Sequence, residues 1–318
     1  MQKKLLAVGV GVVDMLVKPM DSLDFETDAH TIDSFVMSSG GDTMNVTCNV
    51  TRLGQKVDML GVVGTDSFGK YLMNRLTEVG ADNSRMIVRE GSTAVSLVMI
   101  NSHADRTFYG TKNTVTRTLT LDMIDLDMLD NYDFLLYNTV YSIPTLLDDD
   151  MATLFRTAKE KGLVTATDTG WDRSGKWFEH FRASMPYIDY FLPSVAEARM
   201  MAGGIDDVEK MADFFLEAGA KNVAIKLGGD GCYFKNAEEA FYGPAFDIKP
   251  VDTTGAGDAF VSGFMTALML GKSNRECVRY ASATGSYACT FIGTTTHSPT
   301  MEELEAFMKN TPMKPPIK

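Results

Sequence analysis

Asp258 closes a run, Asp252-Thr253-Thr254-Gly255-Ala256-Gly257-Asp258-Ala259-Phe260, whose residue types and spacing suit phosphoryl transfer. Phe260, Phe264, Ala267 and Leu268 recur at helical spacing beyond it, which predicts a helix over 257–270. The backbone N–H groups of Gly255, Ala256 and Gly257 then lie at a helix N-terminus, where unsatisfied donors and the helix dipole attract an anion. A carboxylate in that first turn weakens ground-state binding of a phosphate by like charge. Deprotonating a hydroxyl that attacks the phosphate gives it a reason to be there. Gly and Asp are also common at ordinary helix starts, and Gly-Ala-Gly alone would point no further than that.

Three further groups have residue types fit for ligand contact. Gly40-Gly41-Asp42-Thr43-Met44-Asn45 opens a helical pattern that Gly54 ends, and it places Asp42 and Asn45 about one turn apart. A glycine pair there marks a tight turn and also permits close approach of backbone to a ligand. Asp14 follows the first strand's C-terminal end, where open α/β sheets bind ligands, and its two acceptor oxygens suit neighbouring hydroxyl donors. An Asp after a strand is equally a turn residue or cap. Lys226-Leu227-Gly228-Gly229-Asp230-Gly231 reads as a glycine turn joining strands over 223–227 and 232–234, which is compatible with a ligand above it.

The elements that must position these residues alternate. Apolar runs at 5–10, 57–63, 134–137, 164–166, 190–192 and 223–227 have the character of strands buried on both faces. Helical patterns at 43–53, 67–79, 145–161, 208–218, 257–270 and 275–290 lie between and after them, with Asp66 as N-cap and Gly80 as stop of the second. This alternation predicts a mostly parallel sheet with helices on both faces. Segments near 15–37 and 93–109 break the rhythm with strand-like runs and no helices, and such insertions often cover a site as a lid. We find no linker, internal repeat or low-complexity block, so 318 residues read as one domain with a lid.

Composition narrows the class. A net charge of −12 argues against nucleic acid or an anionic membrane as partner, and it means that local donors must hold any phosphate. The four cysteines are scattered without a Cys-x-x-Cys pair, which argues against a disulfide framework or zinc site and fits a reducing cytoplasm. Lys3-Lys4 followed by an apolar run mimics a signal peptide, but Asp14 ends it and no small-residue cleavage site follows. The four histidines lack ligand spacing, and Gly271-Lys272-Ser273 lacks the glycine a P-loop needs.

The nine-residue run around Asp258 is similar to the C-terminal signature of the ribokinase/PfkB family of carbohydrate kinases. Gly40 to Gly54 and Gly61 to Gly69 resemble its N-terminal signature, so the likeness spans nearly the whole chain. The resemblance implies a ribokinase-like α/β fold, three layers with a small β-sheet lid, and a lid that mediates dimerisation in some members. It implies ATP and Mg²⁺ as cofactors, Asp258 as catalytic base, and Gly255, Ala256 and Gly257 as the anion hole. By the same resemblance Asp14, Gly40, Gly41, Asp42 and Asn45 touch the sugar, while Lys226, Gly228, Gly231 and Thr253 lie against the nucleotide. Glu197 takes the place of the family's Glu that orders the water around Mg²⁺, with Ser194 where relatives have Asn. Asp252, Thr254 and Gly293 align with positions that bind a monovalent cation, potassium, in several relatives.

The implied reaction is ATP-dependent transfer of the γ-phosphoryl group to a primary hydroxyl of a small sugar or sugar acid. Val12 and Asp42 stand where typical ribokinases have Asn and Lys, which disfavours ribose. The Gly-Gly-Asp-Thr loop with Arg106-Thr107-Phe108-Tyr109 and Lys112 looks like some 2-keto-3-deoxygluconate kinases, in which Tyr and Arg near this point hold a carboxylate. Lys112 stands in for that Arg as a point charge without the bidentate fork, and a solvated lysine is an equal reading. Fructose-like and nucleoside acceptors stay open, as does a non-enzymatic sugar- or nucleotide-binding protein on this scaffold.

Overall fold

The computed structural model describes residues 2–23, 25–26, 28–103, 106–291, 293, 297–315 and 317. Strand β1 (Lys4–Val8) leads into β2 (Val12–Lys18), β3 (Ser34–Gly40) and helix α1 (Asp42–Arg52). Next come β4 (Lys56–Leu60), β5 (Val62–Gly64), α2 (Ser67–Val79), β6 (Ile87–Arg89), β7 (Val95–Ile100) and β8 (Arg106–Gly110). The chain continues through β9 (Phe134–Tyr137), α3 (Asp148–Glu160), β10 (Val164–Thr167), β11 (Tyr190–Phe191), α4 (Val195–Met201) and α5 (Val208–Glu217). It ends with β12 (Asn222–Lys226), β13 (Cys232–Asn236), β14 (Ala240–Gly243), α6 (Ala256–Met269), α7 (Asn274–Ala288) and α8 (Met301–Asn310).

Eight strands form the large sheet in the order β14-β13-β12-β11-β10-β9-β1-β4, parallel from β4 to β12 and antiparallel at β13 and β14. Alternate residues of β1 serve opposite faces, as the two-residue period requires. Leu6 and Val8 pack into a cluster with Phe155 of α3 and Phe215 of α5. Leu5 and Ala7 pack into another with Val46 of α1, Phe264 of α6 and Val278 of α7. Helices on both faces explain the unbroken apolar strands read from the sequence.

The two irregular segments supply a second sheet, ordered β3-β2-β7-β8, with one parallel pair (β2 and β7) between two antiparallel ones. Residues 24, 27, 104 and 105 of those segments lie outside the described residues. Two expectations are corrected. The strand read over 57–63 is two strands, β4 and β5, and β5 leaves the large sheet to pair with β6. Helices α4 and α8 went unread; each opens on a capping box, Ser194 with Glu197 and Thr300 with Glu303.

Candidate active site

The C-terminal ends of the parallel strands and the N-termini of α1 and α6 converge on a cavity of about 530 Å³. Gly255 is the N-cap of α6 at φ 73°, a left-handed conformation that glycine adopts without a Cβ penalty. That turn differs in one respect from expectation. The N–H of Ala256 folds back onto the Thr253 carbonyl at 3.2 Å. The amides of Gly255 and Gly257 have no acceptor among the described residues. The candidate anion hole is therefore narrower than three consecutive amides.

Asp258 is buried in the first turn of α6, and Asn45 Nδ2 donates to its Oδ2 at 2.7 Å. Burial first, and the Asp42 charge second, hold its pKa well above the usual carboxylate range. Asn45, expected at the sugar, thus orients the candidate base. Its Oδ1 is buried without a partner among the described residues and faces no competing donor there. Asp42 begins α1 and accepts a hydrogen bond from Thr139 Oγ1, while burial raises its pKa as well.

The Lys226 ammonium meets Asp168 Oδ2 at 2.6 Å. A Cβ added to Gly257 would lie 3.7 Å from Lys226 Nζ, which puts the ammonium beside the anion hole. Burial alone would depress this lysine, but the charges of Asp168 and Glu197 outweigh it and its pKa is raised. Burial pushes Asp168 up to about 6 against the opposing pull of Lys226. Glu197 Oε2 accepts from Thr169 Oγ1 and from the Ser194 N–H, both at 2.8 Å, so this residue caps α4 and lines the cavity at once. Among the described residues, no three His, Cys, Asp or Glu side chains form a ready metal cage. That donor set fits an Mg²⁺ that phosphates and water would hold, with Glu197 among the carboxylates that line the cavity.

Gly228, Gly231 and Thr253 line the same cavity, and Leu227 N–H to Gly231 O at 2.8 Å closes the expected turn between β12 and β13. Ile248 and Pro250 add apolar lining to it. Asp14 belongs to β2 of the small sheet, not to the end of β1, and faces the N-terminus of α1. A Cβ on Gly40 would sit 1.9 Å from Asp14 Oδ2, so Gly40 is the residue that lets this carboxylate in; Gly41 is the N-cap of α1. Burial, then the Asp42 charge, raises Asp14 to about 6.

Some expected residues stand apart. Tyr109 pairs with Leu97, Leu97 with Met15, and Met15 with Met37, which places Tyr109 on the face of the small sheet opposite Asp14. It is 51% exposed, and Lys112 beyond it is exposed too, because β8 is an edge strand. Asp252 Oδ1 accepts from Thr254 N–H at 2.7 Å and Oδ2 from Gly293 N–H at 2.9 Å. Arg106 Nη2 from β8 then meets Asp252 Oδ1 at 2.7 Å. Burial is overcome by these donors, and the Asp252 pKa is lowered. A guanidinium thus already supplies positive charge at this carboxylate, which the family resemblance pairs with a monovalent cation.

Reasoning from sequence missed Asp168, Thr139 and the Arg106 partnership. Asp168 had a signal, since it follows β10 just where Asp14 was expected to follow a strand. Thr139 and Arg106 act through contacts across 97 and 146 residues, and no local pattern announces those.

A large mostly parallel sheet with a small second sheet over the N-termini of two helices defines a ribokinase-like sugar-kinase fold. The family model of pfkB family carbohydrate kinases matches residues 3–301, and the chain belongs to that family. The 2-dehydro-3-deoxygluconokinase of Bacillus subtilis (strain 168) is 27% identical over 292 residues, covering 88% of this chain and 89% of its own. The ATP-dependent 6-phosphofructokinase of Thermoanaerobacterium thermosaccharolyticum is 26% identical over 314 residues, covering 95% and 92%. The crystal structure of the ribokinase from Thermotoga maritima matches with a TM-score of 0.84 at 25% identity, covering 96% of this chain and 99% of that one. No helix among the described residues is long and apolar enough to cross a membrane.

Proposed function

We propose that this sugar kinase transfers the γ-phosphoryl group of ATP to a primary hydroxyl of a small sugar or sugar acid, of the 2-keto-3-deoxygluconate or fructose type. The observation that carries the reading is the placing of Asp258, buried, oriented by Asn45, and beside both the open Gly257 amide and the Lys226 ammonium. When bound, ATP supplies the phosphoryl group and Mg²⁺ offsets the charge of its phosphates.

Asp258 accepts the proton of the acceptor hydroxyl as the oxygen bonds to the γ-phosphorus and the bond to the leaving ADP oxygen breaks. A carboxylate whose pKa is raised is the stronger base for that step. The Gly255 and Gly257 amides and Lys226 receive the charge on the transferring group. Asp14 and Asn45 Oδ1 accept from other hydroxyls of the acceptor and fix which one faces Asp258. Residues 1–318 act as one kinase unit whose small sheet serves as the lid, excluding water that would hydrolyse ATP.

A coupled ADP-release assay across neutral sugars, sugar acids, sugar phosphates and nucleosides tests this. We expect acceptor-dependent turnover with a sugar or sugar acid; ADP release that no acceptor in the panel stimulates would overturn the reading.

Phe35, Met37 and Tyr109 are exposed on one face of the small sheet, with Met15 and Leu97 between them by register. That apolar face supports a homodimer joined through the two lids. Light scattering should give twice the chain mass and Phe35→Asp a monomer; a wild-type monomer at micromolar concentration removes the dimer.

A further inference from the structure

A second cavity of about 540 Å³ lies beside the first, and its residues include Arg117, Tyr141, Trp171, Arg173 and His180. The two share loops. Thr139, which donates to Asp42, stands two residues before Tyr141, and Gly170, which lines the first cavity, stands next to Trp171. The second cavity is thus the outward continuation of the acceptor side, at the C-terminal ends of β9 and β10.

Its carboxylates are already engaged. Asp172 accepts from the N–H groups of Ser174 and Trp177 and from Ser174 Oγ. Asp148 Oδ1 lies 2.8 Å from His180 Nδ1, and His180 Nε2 lies 3.1 Å from Ser174 Oγ. Its cations are not engaged: among the described residues, no carboxylate stands within 4.0 Å of the Arg117 or Arg173 guanidinium, and neither donates a hydrogen bond. Burial first, and the like charge of Arg173 second, hold the Arg117 pKa below its usual value. Two guanidiniums sharing a half-enclosed pocket repel until an anion lies between them, and their planar forks match a carboxylate or phosphate.

Two more observations mark the place. The backbone is left-handed at Thr139 (φ 50°), Asp148 (φ 54°) and Trp177 (φ 46°), a conformation uncommon for non-glycine residues. Trp171 is 59% exposed and meets Trp177 edge-on at 4.9 Å, an aromatic wall suited to the C–H face of a sugar chain.

We infer that Arg117 and Arg173 receive the anionic end, a carboxylate or a phosphate ester, of the acceptor whose far hydroxyl meets Asp258. The protein then selects acidic sugars over neutral ones. This rests on the kinase reading above for the second half of the claim and on the cavity alone for the first.

Of the chain's two tryptophans, Trp171 lines this cavity and Trp177 packs edge-on against it, so tryptophan fluorescence reports binding without turnover. The wild-type chain would be titrated with 2-keto-3-deoxygluconate, fructose 6-phosphate, inorganic phosphate and fructose, with and without a non-hydrolysable ATP analogue. We expect one of the two anionic sugars to bind at least about 10-fold more tightly than fructose, and which one tells carboxylate from phosphate ester. Arg117→Ala and Arg173→Ala should each weaken that binding by about 10- to 100-fold, the worth of a charge-assisted hydrogen bond. Arg173 is exposed, so its variant folds even if that of Arg117 does not. Equal affinity for fructose, or an affinity indifferent to Arg173→Ala, would overturn the inference. Inorganic phosphate that binds without competing with the sugar would overturn the acceptor assignment. Arginine-dependent binding without any turnover would keep the cavity's role and sink the kinase reading; turnover on fructose alone would do the reverse.

Discussion

The inner cavity and the outer one are furnished differently. Around the inner cavity each charged side chain has a partner within the protein: Lys226 with Asp168, Asp258 with Asn45, Asp42 with Thr139, Glu197 with Thr169. Backbone amides and short helix termini complete it. In the outer cavity two arginines share the lining with no carboxylate partner among the described residues, and Trp171 in its wall is exposed. Groups that must stay in register through a reaction are held by their neighbours before any ligand arrives. Groups that recognise are left open, so the ligand itself supplies the missing partner and the discrimination.

The largest break in this contrast should come from Asp258→Asn. We expect turnover to fall by about 10²- to 10⁴-fold with acceptor binding retained, as ADP release and tryptophan fluorescence would report. The sign of the stability change is also fixed. A carboxyl whose pKa is raised on folding binds its proton more tightly in the folded state, so ionising it as pH rises through the folded value costs stability. The neutral Asn escapes that cost, and its melting temperature at pH 7.5 should exceed that of wild type. A variant that is both active and less stable would show that Asp258 is neither the base nor strained by burial.

Gly40→Ala comes next. Its new Cβ would sit 1.9 Å from Asp14 Oδ2, and the carboxylate must swing away. We expect the acceptor KM to rise by about 10-fold or more while the KM for ATP holds, since only hydroxyl contacts are lost. Equal changes in both constants would mean that the two sides are not separable.

A smaller effect concerns pH. Asp14 is raised to about 6 by burial and Asp42, and only its ionised form accepts two hydroxyls. The acceptor KM should therefore climb by up to about 10-fold as pH falls from 7 to 5, and Asp14→Asn should flatten the profile. A wild-type KM independent of pH across that window would remove Asp14 from acceptor binding. The smallest effect is that of potassium. Arg106 already neutralises Asp252, so replacing potassium by tetramethylammonium should alter turnover by less than about twofold, and Arg106→Ala should acquire a dependence. Strong potassium activation of the wild type would contradict the geometry.

Much of the inner cavity was legible in the sequence because its parts are contiguous. The Gly255–Asp258 turn, the Gly40–Asn45 turn and the Lys226–Gly231 hairpin each carry their own local signal of small residues beside a strand or helix end. The large sheet was legible for the same reason, since strands covered on both faces read as apolar runs. The small sheet was harder. Its strands came out as insertions, and the side of the sheet on which Tyr109 falls depends on register across four strands, which a one-residue slip reverses. The outer cavity had no sequence signature. Arg117, Tyr141 and Arg173 sit on three separate loops, and only the fold makes them neighbours.

The Arg106–Asp252 contact joins a strand of the small sheet to the loop that shapes the phosphate cradle. An ion pair whose carboxylate is buried, with 18% of the arginine and 3% of the aspartate side chain accessible, tolerates poorly the loss of the arginine. If the acceptor seats under the small sheet as proposed, its binding and the ordering of the Gly255 and Gly257 amides would be linked through this contact. By thermodynamic reciprocity, whatever factor the acceptor adds to nucleotide affinity, the nucleotide returns to the acceptor, and severing this one contact should reduce both factors together.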